Sequence, residues 1–289
     1  MKEKFPTSWL LVLTLAWMSV SLYMDFLYAP EEETMGQVQR IFYIHVACAW
    51  TALLGFIIIF GASILYLWKR SPAADELAHA TGEVGFIFCS GVLITGPLWA
   101  KPAWGIWWAW DARLTLTFLL WLLYVAYLML RSYLVNPGRA ANLCAVVGVI
   151  GFVDVIIDYM AIRWWRTQHP QPVMFGGPNS GLDPRMLLTL LVSWGAFTCL
   201  FFLLLRMRLR LGRMRKELAR FATFWRSNFR RISVVNKYLV LAYAFVWLIF
   251  MLYAWNLSRR QARLKKELDE LKNKVSEPAS APASPKSGS

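Results

Sequence analysis

The sequence predicts an all-α polytopic membrane protein: a six-helix transmembrane bundle followed by a seventh transmembrane helix. Two observations carry this. Of the 289 residues 58% are hydrophobic, and they fall in long runs instead of the alternation of a soluble core. Seven runs, near 8–29, 43–68, 82–100, 114–133, 142–162, 186–206 and 235–256, each approach or exceed the roughly 20 apolar residues that cross a hydrocarbon core about 30 Å thick.

The first run follows MKEKFP and continues without a small-residue cleavage site, so a retained anchor is expected there and not a removable signal. Lys and Arg accumulate on cytoplasmic flanks, and their distribution orients the runs. With the N-terminus inside, the inner segments hold Lys2, Lys4, Lys69, Arg70, Arg131, Arg139 and eleven basic residues across 206–237. The outer segments hold Arg40, Lys101, Arg113, Arg163, Arg166 and Arg185. Seventeen against six places the connections after runs one, three and five together on the outer face.

Residues 1–206 form one membrane domain with short connections. Residues 207–234 are a basic cytoplasmic linker, and the stretch RMRLRLGRMRKELARFATFWRSNFRR from Arg206 to Arg231 suits a helix lying along the inner surface. The seventh span covers 235–256. In 257–289 a charged helix carries Leu264, Leu268 and Leu271 on one stripe, and a Pro/Ala/Ser-rich tail reads as disordered. The eleven basic residues of 206–237 place that tail outside if the chain is continuous, and the eight of 257–289 favour the inside. The side stays open on charge alone.

A net charge of +14 could suit nucleic acid, but the charge sits beside a membrane span, where anionic membrane lipids account for it. Cys48, Cys89, Cys144 and Cys199 all fall inside spans, and no CxxC or CxxCH is present. That argues against thiol redox chemistry and against covalent haem attachment in this chain. Neither a P-loop nor GxGxxG occurs, so no nucleotide-hydrolysing device is visible.

The chemistry concentrates on the outer face. The connection after run three, WAKPAWGIWWAWDARLT, holds five of sixteen tryptophans: Trp99, Trp104, Trp107, Trp108 and Trp110. Trp104, Trp107 and Trp108 stand at i, i+3 and i+4, so a helix there would align them as one flat aromatic face, suited to a planar macrocycle. An interfacial aromatic belt is the alternative. Asp111 and Arg113 follow, and could fix a polar ligand edge.

Of three histidines, His45 and His169 lie at the outer face and His79 at the inner end of run three. Two imidazoles from separate outer connections could bind opposite faces of one haem iron; packing histidines at a membrane boundary are the alternative. Carboxylates within spans are costly, which singles out Asp25 and the i, i+4 pair Asp154 and Asp158. Bundle hydrogen bonds explain them more simply than a proton path.

WGIWWAWDARLT resembles the tryptophan-rich WWD motif of haem-handling membrane proteins, and RIFYIHV and WWRTQH resemble the two flanking histidine motifs of the CcmC family. The resemblance covers about residues 1–206. It departs from the family at Ala47, where a proline is common. It implies that His45 and His169 are axial ligands of a non-covalently bound haem b, that Trp104, Trp107, Trp108, Trp110 and Asp111 form its platform, and that the site faces the periplasm from the inner membrane. Arg113, Arg166 and Arg185 are candidates for the haem carboxylates. The implied partners are the haem chaperone CcmE and the transporter subunits CcmA and CcmB. Residues 237–266 also resemble CcmD, a small companion normally on its own chain, and that resemblance implies an inside C-terminus. The implied activity is haem presentation in cytochrome c maturation, with no turnover chemistry visible. Alternatives are a transmembrane haem exporter subunit and a WWD-type protein attaching haem to apocytochrome; the latter is disfavoured by having only six spans around the motif.

Overall fold

The computed structural model describes residues 7–170, 182–235 and 237–276. Its elements are α1 (Thr7–Tyr23) extended by a π turn (Met24–Tyr28), a 3-10 turn (Gln37–Arg40), α2 (Ile41–Lys69), α3 (Pro72–Trp104), α4 (Ala112–Tyr133), α5 (Pro137–Trp164), α6 (Pro184–Val235) and α7 (Lys237–Ser276). Among the described residues six helical segments are long and apolar enough to cross a membrane, from Thr7–Tyr28 to Pro184–Arg226. Among the described residues the only β-type pairing is an isolated bridge, Glu32 to Gly36. The predicted all-α bundle of six spans is therefore present, in a multi-pass membrane protein. The helical segment Lys237–Ser276 follows it. The chain divides into two compact units, Met1–Arg215 and Lys216–Ser289.

Local sequence sets the helix ends in the first unit. Arg70 takes the left-handed conformation (φ 53°) and stops α2. Ser71 then caps α3, accepting from the Ala74 N–H, with Pro72 at the first helical position, where its missing N–H is harmless. This two-residue joint forces α2 and α3 into an antiparallel hairpin. Asn136 caps α5 in the same way, its Oδ1 accepting from Gly138 and Arg139 N–H at 3.0 and 3.1 Å.

The core runs through Phe56, Ile59, Phe88, Tyr124 and Phe201, all at most 4% exposed. Val12, Ile87, Ile94 and Ile150 are more than half exposed, whereas Thr51, Thr81, Thr189 and Ser193 are fully enclosed. Apolar side chains outside and polar ones inside suit a lipid surround. Small residues let the helices approach: a Cβ on Gly85 of α3 would stand 2.4 Å from the Tyr124 hydroxyl of α4.

The helix ends differ from the apolar runs: α6 continues unbroken through the basic stretch after 206 to Val235. Its Arg, Leu, Met, Lys, Glu and Ala residues are good helix formers without proline, so charge alone does not end the helix. The inner ends also differ, because α3 begins at Pro72, ten residues before the apolar run. The Leu264, Leu268 and Leu271 side chains, the tail after Ser276 and Lys2 and Lys4 lie outside what the structure describes.

Candidate functional site

At one end of the first unit the connection after α5 is bonded to the connection after α3, and the connection after α1 packs beside the end of α3. One expectation is corrected here. Trp104 is the last residue of α3; Gly105 (φ 76°) ends the helix, its N–H donating to Lys101 O at 2.9 Å. Residues 105–111 are non-helical, so Trp104, Trp107 and Trp108 share no helix face. A side chain at Gly105 would be strained whatever the space around it. Trp107 and Trp110 instead point outward, 57% and 75% exposed. Trp108 packs edge-on to Trp110 at 5.7 Å and to Phe118 at 6.4 Å, and Phe118 stacks on Trp121 at 6.1 Å and 11°. The aromatic surface is thus built by a loop leaning on α4.

Asp111 makes this loop a joint. Its Oδ1 accepts from the Leu114 N–H at 2.9 Å and caps α4. Its Oδ2 accepts from the Gln168 N–H at 2.8 Å, which ties the connection after α5 to the connection after α3. Arg113 turns the other way, donating to Asp158 O at 2.5 Å and pairing with Asp158 Oδ2 at 3.4 Å. Thr117 donates to the other Asp158 oxygen at 3.2 Å. Asp111 and Arg113 are thus engaged by the protein itself. Arg185, the third proposed cation, pairs loosely with Asp183 at 3.8 Å, and Arg166 is exposed.

His45 sits in the first turns of α2, 8% exposed. Its Nδ1 is 2.8 Å from Thr95 Oγ1 of α3, and its ring lies 5.9 Å from that of Trp99 at 58°. His169 is half-buried on the loop after α5, with Nδ1 2.9 Å from Pro170 O. His45 thus stands on α2 and His169 on the connection after α5, which Gln168 ties to Asp111. Burial, with the Arg113 cation adding to it, pushes His169 down to about 4; it is a neutral imidazole near neutral pH.

A carbonyl oxygen only accepts, so the His169 contact puts the proton on Nδ1 and leaves an Nε2 lone pair. Neither Nε2 has a hydrogen-bond partner among the described residues. Two such nitrogens from different elements can hold one metal ion between them, and bis-imidazole ligation suits iron. His79 does not join them: it pairs with Glu83 at 3.3 Å, and Glu83 also binds Arg208.

Of the carboxylates within the spans, Asp25 and Asp158 are bonded within the bundle. Asp25 is 1% exposed and accepts from Ser193 Oγ at 2.6 Å and Ser21 Oγ at 3.4 Å, joining the end of α1 to α6. Asp154 is buried with Oδ2 unpartnered. All four cysteines are free, three of them buried. Sequence reasoning did not identify Thr95, Trp99 or Gln168 as parts of the site. Their partners are 50 or more residues away in sequence, and only the fold supplies them.

The fold defines a polytopic membrane protein with six helical segments able to cross a membrane among its described residues. The profile of the family described as CcmC, heme exporter protein C, matches residues 3–223. A heme exporter protein C from Bradyrhizobium diazoefficiens is 37% identical over 213 residues, 73% of this chain and 78% of that protein. One from Escherichia coli K12 is 32% identical over 208 residues, covering 72% and 81%, and one from Rhodobacter capsulatus is 30% identical over 203, covering 70% and 84%. The chain belongs to the CcmC family.

Proposed function

We propose that this chain binds haem b non-covalently between His45 and His169 on the periplasmic side of the inner membrane and presents it to the haem chaperone CcmE during cytochrome c maturation. The observation that carries the reading is a pair of imidazoles on separate elements, His45 on α2 and His169 on a loop tied through Gln168 to the tryptophan-rich connection, with the His169 Nε2 lone pair free. The donor set fits a haem iron: two nitrogen ligands, a partly exposed aromatic surface for a planar macrocycle, and the guanidinium of Arg113 nearby. The iron would supply the bond that retains the macrocycle, and the chain's residues supply ligation, orientation and exposure to a partner. Trp107 and Trp110 face outward, where a partner could take part in the exchange. The match to heme exporter protein C relatives supports haem handling as the cargo chemistry.

CcmA and CcmB are the expected transporter partners, and α7 is proposed to act as a fused CcmD-like crossing. The name shared by the relatives favours a second reading, in which the bundle itself moves haem across the membrane.

The test uses purified full-length protein. Wild type is expected to carry haem with a low-spin bis-histidine spectrum, His45→Ala and His169→Ala to lose haem or change that spectrum, and His79→Ala to match wild type. Unchanged spectra in both outer variants would end the ligand assignment. Co-purification with CcmE separates presentation from attachment, which predicts an apocytochrome partner.

A further inference from the structure

The hydrogen bond of His45 has a direction that the geometry fixes. Thr95 Oγ1 lies 2.7 Å from Gly91 O in the preceding turn of α3. Two oxygens approach that closely only with a hydrogen between them, and a carbonyl has none to give. The single hydroxyl proton of Thr95 therefore points at Gly91 O, and its lone pair faces His45 Nδ1 at 2.8 Å. For that contact to be attractive, the imidazole must carry its proton on Nδ1.

We infer that Thr95 is a positioning residue for His45: its hydroxyl, committed as donor to Gly91 O, holds the imidazole in the Nδ1–H tautomer and turns the Nε2 lone pair toward the iron. The inference rests on the reading of His45 as an iron ligand. The surroundings restrict the ring further. Trp99 stands tilted beside it, and the position a Cβ would take on Gly96 is 3.5 Å from its Cε1, so the Nδ1 and Cε1 side of the ring is the side held by α3. His169 reaches the same tautomer by a different route, through the backbone carbonyl of its own neighbour Pro170. Both ligands are thus prepared before any metal arrives, one by a side chain that can be substituted. An acceptor on the distal N–H of a ligating imidazole also makes it a stronger donor, which favours ferric over ferrous iron.

Two measurements test this. In the full chain labelled with ¹⁵N-histidine, free of haem and in lipid nanodiscs, the His45 signal, assigned by its loss in His45→Ala, should show the proton on Nδ1. A proton on Nε2 overturns the proposal, and needs no Thr95 variant to fold. In haem-loaded protein, Thr95→Val should bind haem about tenfold or more weakly, in keeping with lost outer-shell partners, and raise the midpoint potential; Thr95→Ser should restore both. Wild-type affinity and potential in Thr95→Val, beside a disturbed spectrum in His45→Ala, sink this proposal alone. An undisturbed spectrum in His45→Ala sinks the ligand reading and the proposal with it.

Discussion

Asp111 has two backbone N–H groups on one carboxylate, and asparagine can satisfy only one of them. Asn is as good an N-cap as Asp, so Asp111→Asn can keep the Leu114 bond that starts α4 while setting an amide N–H₂ against the Gln168 N–H. The lost bond is charge-assisted, a class worth about 1.5–3 kcal/mol. It is exposed to solvent, so the lower figure applies, roughly 1.5 kcal/mol. That is about a tenfold change in an equilibrium constant. Because Gln168 precedes His169, the change should fall on haem affinity, through a loop no longer held against α4. Thermal stability should stay near wild type. Asp111→Ala removes the cap as well, for about 1 kcal/mol more, and should lower both. The assay is haemin titration of apoprotein in detergent, with melting followed by circular dichroism. In a His169→Ala background Asp111→Asn should weaken haem no further, since coupled sites are non-additive. Wild-type haem affinity in Asp111→Asn, or an equal loss with and without His169, would refute the tether.

Gly85→Ala should destabilise the bundle by about 1–3 kcal/mol, as overpacking does, because the new methyl would stand 2.4 Å from the Tyr124 hydroxyl; a thermal melt in detergent checks it, and trimming Tyr124 to Phe in the same chain should recover part of the loss. The eleven basic residues of 206–237 hold that segment inside at about 2.5–3.5 kcal/mol for each charge forced to the bilayer centre, so a crossing by α7 leaves its charged end outside. A cysteine at Asp269, exposed on α7, should then react with an impermeant thiol reagent in intact cells, and labelling only after lysis would overturn that orientation.

The six spans were legible because membrane burial writes itself as uninterrupted apolar runs, and the shared end of the connections after α1, α3 and α5 followed from parity. The tryptophan segment was half legible. Its i, i+3, i+4 spacing suggested a helix face, yet the same residues carry a stop and a start: Gly105 in the left-handed conformation after Trp104, and Asp111 as the cap of α4. Those end signals outweigh periodicity, since a left-handed residue cannot be carried through a helix. Arg113 and Asp158 were each visible as unusual, but their pairing across 45 residues is a product of how α4 packs on α5. The same holds for Thr95, an unremarkable threonine in an apolar helix until α2 brings His45 against it.

The two histidines are fixed by different kinds of structure, and this decides which substitutions reach them. His45 belongs to a helix, so its position follows from α2 packing on α3, and the one adjustable feature is the partner of Nδ1. His169 belongs to a loop, so its tautomer is settled by the adjacent Pro170 carbonyl, which substitution of other side chains leaves in place, and the adjustable feature is where the loop sits. Thr95 therefore acts on the electronic character of one ligand, and Asp111 on the location of the other. A potential measurement should separate them: Thr95→Val shifts the potential of whatever haem is retained, whereas Asp111→Asn mainly lowers the amount retained. An equal shift of potential in both would mean that the loop and the helix move as one body, and that Asp111 is felt at His45 as much as at His169.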